Sequence, residues 1–84
     1  EPDMIEAQVE TAIEAERAMR LMESVLDSRE LSVIQMRYGL TDGQMRPQKE
    51  VGAALGISRS YVSRIERQAL KKLRRAMDPA RDKR

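Results

Sequence analysis

Residues 54–75 read ALGISRSYVSRIERQALKKLRR: a helix of small residues ends at a glycine, and a helix crowded with cations follows. Two helices crossing at a steep angle need apolar contacts between them, small residues at the crossing, and a turn residue that tolerates positive φ. Val51, Leu55, Ile57, Val62 and Ile65 supply the apolar set, Gly52 and Ala53 keep the crossing close, and Gly56 makes the turn. The spacing predicts a helix-turn-helix; the alternative is a helical hairpin in which Gly56 is only a C-cap.

At about 100° per residue, Ser58, Val62, Ile65, Ala69, Leu73 and Ala76 share one stripe of the last helix, the side predicted to face the core. The opposite side carries Ser60, Ser63, Arg64, Arg67, Lys71 and Arg74, with Arg59 on the flank. A helix lying in a major groove reads bases with its first turns and meets phosphates further along. Short side chains at Ser60 and Ser63 let the backbone come close, and Arg59 and Arg64 can each make a bidentate contact to guanine. The bland alternative is a solvated basic face. Leu70 lies off the core stripe and is expected to pack on the first helix or on a partner; Glu66 is expected to pair with an arginine such as Arg37.

Charge is divided along the chain. Residues 1–27 carry a balance of −6, residues 28–56 of +1 and residues 57–84 of +7, so the C-terminal third is suited to a polyanion and the N-terminal third is not. Eighty-four residues suffice for one domain with a modest core. Tyr38 and Tyr61 are the only aromatics, so that core consists of aliphatic side chains and six methionines, which favours helix on helix and an all-α class. Cys and His are absent, so thiolate sites and the commonest base and metal ligand are missing. Ser60 and Ser63 have no base beyond Glu66 or a lysine, and two tyrosines make no stacking platform for RNA; an enzyme and an RNA binder are both poor fits. No cofactor, metal or small-molecule substrate is expected. No apolar run approaches the roughly 18 residues of a membrane span, which favours a soluble, cytoplasmic protein. The start EPDMIE suggests a piece of a longer chain.

Four or five helices are predicted. The first lies within Met4 to Leu26 and would be two if the gap between Ile13 and Met19 breaks it. Asp27 and Glu30 form a capping box for a second helix, with Leu31, Ile34 and Tyr38 on one face and Gly39 at its end. TDGQMR is a loop, Pro47 fits the first turn of a third helix, and Ser58 caps a fourth that runs to about Met77 before Pro79 and an RDKR tail.

VIQMRYGL (33–40), a loop, then QKEVGAALGISRSYVSRIERQALKKLRR (48–75) resembles region 4, the promoter-recognition domain of the bacterial sigma-70 family, from about Ala12 to Met77. GISRSYVSRIE looks closest to the sporulation sigma factors. The resemblance implies a domain over 12–77 of region 4 or winged-helix-like type: a first part over 12–46, the helix-turn-helix over 47–77, with 1–11 a linker or helix start and 78–84 a basic tail. It implies recognition of the −35 element by the helix beginning at Ser58, with Arg59, Ser60 and Arg64 at base-contacting positions and Ser63 beside them. Arg37, Gln48, Lys49, Ser58, Arg67, Lys71 and Arg74 are the candidate phosphate contacts. Primary members place an acidic residue and a glutamine where Ser60 and Arg64 stand, so the preferred hexamer differs; they often place a threonine at the position of Pro47. Family members also grip the RNA polymerase β flap in an apolar trough, which suits Met19, Met22, Leu26, Ile34 and Met36. Implied partners are promoter duplex DNA, the polymerase core and an anti-sigma factor. The competing readings are another helix-turn-helix regulator, such as a response-regulator output domain, and an interaction module whose basic helix grips an acidic protein.

Overall fold

The computed structural model describes the backbone of residues 2–78 and the side chains of residues 13–78. Four helices follow in order: α1 (Pro2–Val25), α2 (Ser28–Tyr38), α3 (Gln48–Leu55) and α4 (Arg59–Met77). The described residues hold no strand, so the all-α class with a C-terminal helix-turn-helix is what the chain adopts.

α1 is one helix. The segment from Ile13 to Ala18 lies exposed, so the missing apolar beat costs nothing there, and a Glu16–Arg20 pair one turn apart supports the helix locally. Packing begins at Met19. The chain then turns through Asp27, whose side chain accepts from Glu30 N–H at 2.8 Å while the Glu30 carboxylate accepts from Asp27 N–H at 2.9 Å. The predicted capping box is therefore formed, and α2 runs until Gly39 (φ 64°) reverses it.

α2 departs from the expected face. Val33 and Ile34 are both buried, whereas Tyr38 is exposed. The reason is that α2 serves two apolar clusters at once, and successive residues of a helix point about 100° apart. Ile34 joins Met22, Leu26 and Ala69, flanked by Met19, Val25, Leu31, Leu70 and Leu73. Val33 joins Val51, Val62 and Ile65, flanked by Met36, Leu55 and Ile57. α4 contributes to both, Ala69 to the first and Val62 and Ile65 to the second. Leu70 packs on the α1 side, as expected, while Ser58 and Ala76, placed by periodicity on the core stripe, are exposed.

The loop 39–47 is tied by Asp42, which accepts from Gln44 N–H at 3.0 Å and from Arg46 at 2.6 Å. The Arg46 hydrogen bond, then that of the Gln44 amide, hold the Asp42 carboxyl at about 2. Pro47 stands one position earlier than predicted: it is the N-cap of α3 (φ −68°, ψ 158°) with no side-chain cap, and its carbonyl accepts from Glu50 and Val51. At the turn, Gly56 adopts φ 70° and Ile57 N–H returns to the Gly52 carbonyl at 2.9 Å. Ser58 caps α4 by accepting from Tyr61 N–H at 3.1 Å.

Gly52 alone makes the close crossing. A Cβ there would sit 2.7 Å from the Ile57 carbonyl oxygen, whereas Ala53 is exposed. Gly56 differs: a Cβ would meet nothing within 4 Å, and only its left-handed backbone resists substitution. Gly52→Ala should therefore cost about 2 to 3 kcal/mol through backbone displacement, and Gly56→Ala about 1 kcal/mol through φ strain. Thermal melts of the two variants check the ordering, and a Gly52→Ala variant that melts with the parent would contradict the crossing geometry.

Candidate nucleic-acid interface

Ser58 holds the first turn of α4, and the Gly52 crossing fixes how α3 meets it. Together these bring Gln48 at the start of α3 beside Arg59, Ser60, Ser63, Arg64 and Arg67 in one shallow recess. All four residues expected to touch bases thus line the same depression. Arg59, Ser60 and Arg64 are exposed and Ser63 half-buried.

The guanidinium groups of Arg59, Arg64 and Arg67 make no hydrogen bond or ion pair among the described residues. Four cations elsewhere are engaged among the described residues: Arg20 with Glu16, Arg37 with Glu66, Arg46 with Asp42 and Lys72 with Glu30. Those four brace the fold, whereas Arg59, Arg64 and Arg67 around the recess carry no acid partner among the described residues. A second recess joins Lys49 to Pro47, Gln48, Arg37 and Arg59. A third, further along α4, is lined by Arg67, Leu70, Lys71, Arg74, Arg75 and Asp78. Lys49 thus lies on the α3 side of the first recess, and Arg67, Lys71 and Arg74 continue from it along α4.

Three of the expected phosphate contacts, Arg37, Gln48 and Ser58, also bond within the fold. Arg37 donates from Nε to Glu66 Oε1 at 2.7 Å and from Nη1 to the Arg46 carbonyl at 2.8 Å, so it braces the fold. The Ser58 hydroxyl accepts from Tyr61 N–H in the α4 cap and keeps its own O–H to donate. Among residues expected to meet polymerase, Met22, Leu26 and Ile34 are core, because the inner face of α1 closes on α2 and α4 there; Met19 and Met36 pack at the edges and keep partial exposure.

α4 is held in place by a buried carboxylate. Glu66, 7% exposed, accepts from Arg37 Nε, from Gln48 Nε2 at 3.1 Å and from the Tyr38 hydroxyl at 2.9 Å. Burial pushes its carboxyl up, but the hydrogen bonds from Arg37, Gln48 and Tyr38 with the Arg37 charge outweigh this and leave it below its usual value. The Tyr38 phenol is raised, first by its hydrogen bond to Glu66. The Glu66–Arg37 pair matches expectation. A second buried carboxylate was not foreseen: Glu30, already in the capping box, also accepts from Lys72 Nζ at 2.8 Å. Spacing along one chain gives no hint of a pair 42 residues apart.

Among the described residues no cluster of His, Cys, Asp or Glu is placed to hold a metal, and no helix is long and apolar enough to cross a membrane.

The profile of the family described as "Sigma-70, region 4" matches residues 24–75, more than half of the chain. The chain is 45% identical over 65 residues to the RNA polymerase sigma-28 factor of Bacillus thuringiensis subsp. kurstaki, covering 77% of this chain and 27% of that protein. It is 43% identical over 53 residues to the RNA polymerase sigma-E factor of Clostridium acetobutylicum, covering 63% of this chain and 23% of that protein. The chain thus spans about a quarter of the length of these relatives.

Because the Glu66 carboxyl is lowered in the folded state, its contribution is present above the unfolded carboxylate pKa and is lost as pH falls through the folded value. Glu66→Gln should cost about 2 kcal/mol near neutral pH and flatten the acid limb of the stability curve. Melts from about pH 7 down to about pH 3 check this; a variant with the parent's stability and acid dependence would show that Glu66 does not organise the site.

Proposed function

We propose, for a chain that belongs to the sigma-70 region 4 family, that it binds promoter duplex DNA at the −35 element by laying the first turns of α4 in the major groove. The observation that carries this reading is the recess at the start of α4, where Arg59, Ser60, Ser63 and Arg64 converge with three guanidinium groups unpaired. Arg59 and Arg64 meet guanine edges through paired N–H donors. Ser60 and Ser63 keep the helix close to the groove floor. Lys49, Arg67, Lys71 and Arg74 meet phosphates and set the register without reading sequence.

The domain acts by binding and performs no reaction of its own. Its working place is the bacterial cytoplasm, on DNA, with RNA polymerase core as its protein partner. The β flap contacts the α1–α2 side through the exposed edges of Met19 and Met36, above Met22, Leu26 and Ile34. An anti-sigma factor would compete for the basic face of α4.

Arg59→Ala and Arg64→Ala should each cost about 1 to 3 kcal/mol on the preferred duplex and relax its sequence choice. Lys71→Ala and Arg74→Ala should weaken all duplexes alike, each lowering the slope of log affinity against log salt by about 0.9. Fluorescence anisotropy on preferred and scrambled duplexes at several salt concentrations separates the two classes. Equal losses on both duplexes for Arg59→Ala and Arg64→Ala would remove the base-reading role, and no salt dependence would favour a protein partner over DNA.

A further inference from the structure

Gln48 is the one member of the base-facing recess that does not come from α4. It is the first residue of α3, half-buried, and its Nε2 donates to Glu66 Oε1. That bond fixes which end of the amide faces which way. A carboxylate only accepts hydrogen bonds, so the nitrogen of Gln48 must turn toward Glu66 and the oxygen away from it. Arg37 and Tyr38 donate to the same carboxylate and hold it as the ionised, accepting partner. The carbonyl oxygen of Gln48 has no hydrogen-bond partner among the described residues.

From this geometry we infer that Gln48 is a specificity-determining residue, whose side-chain oxygen accepts from the exocyclic amino group of an adenine or cytosine in the major groove. The inference rests on the DNA reading above and replaces the phosphate contact expected of Gln48. A phosphate oxygen is an acceptor and is repelled by another acceptor, whereas the N6 group of adenine and the N4 group of cytosine are the major-groove donors. The neighbouring residue shows the contrast: Lys49 lines only the outer recess with Pro47 and Arg37 and carries a donor suited to phosphate, while Gln48 lines that recess and the base-facing one. Glu66 is then a positioning residue for recognition, acting through Gln48 without touching DNA. The sequence preference of this domain is accordingly written by two helices: guanine-seeking arginines on α4 and an amino-seeking oxygen from α3.

The test is selection from a randomised duplex library with the parent domain and with Gln48→Ala, whose folding is checked by thermal melt. Glu66 keeps Arg37 and Tyr38 in that variant, so the fold should survive. The expected result is a parent consensus containing an adenine or cytosine position at which Gln48→Ala loses discrimination by about tenfold, with affinity for scrambled duplex unchanged. In a second arm, which needs no variant, that base is replaced by an analogue lacking the amino group, and the parent should lose binding by a similar factor. If Gln48→Ala weakens all duplexes alike, or the analogue binds as well as the natural base, the inference is overturned and Gln48 is a phosphate contact or a brace. If the parent selects no consensus, the DNA reading itself fails, and the two failures are distinguishable.

Discussion

The placement of α4 depends on one carboxylate. Glu66 sits where α2, α3 and α4 meet, and its two oxygens collect Arg37 and Tyr38 from α2 and Gln48 from α3. A buried charge is costly unless its lone pairs are satisfied. Here the compensation comes from three donors on two helices, which makes the relative position of those helices a condition for burying the charge at all. Apolar packing of Val62 and Ile65 against Val33 and Val51 supplies the larger, non-directional attraction. The carboxylate adds direction: hydrogen bonds fix the register of α4 against α2 and α3 in a way that a cluster of valines does not. At the far end of α4 a second buried carboxylate, Glu30, plays the corresponding part by joining the α2 capping box to Lys72.

This arrangement sets two groups of cations apart. Those paired with acids hold helices and loops together; those around the first turns of α4 and along its outer side have no internal partner. Unpaired like charges on one face repel each other, a cost to the isolated domain that an external polyanion reverses. The short side chains at Ser60 and Ser63 and the rigid support beneath them mean that DNA meets a preformed surface, with little left to order on binding.

Local signals in the chain were legible because they depend on neighbours a few residues apart. The Asp27–Glu30 box, the glycine stops at Gly39 and Gly56, the Ser58 cap and the apolar set of the helix-turn-helix are all of this kind. Pro47 falls one place early because its fixed φ suits the N-cap as well as the first turn. Val33 escaped notice because a single periodic stripe assumes one buried face, and α2 has two. Arg37 and Ser58 suited phosphate contact by residue type, and the fold also uses both, Arg37 for Glu66 and the Arg46 carbonyl and Ser58 for a helix terminus. The methionine and leucine of α1 read as a surplus surface only until the first cluster is seen, where Met22 and Leu26 close over Ala69. The role proposed for Gln48 lay furthest from view, since it rests on an amide orientation that a partner 18 residues away imposes.

The central claim is that the base-reading surface is the start of α4 together with the start of α3. Amide NMR spectra of the isotope-labelled domain, recorded while titrating first a duplex carrying a −35-like hexamer and then a scrambled duplex, test it most directly. The account predicts shifts centred on Gln48 and on Ser58 to Arg67 that differ between the two duplexes, with smaller, sequence-independent shifts from Lys71 onward. Shifts confined to the C-terminal half of α4, or identical for both duplexes, would contradict it.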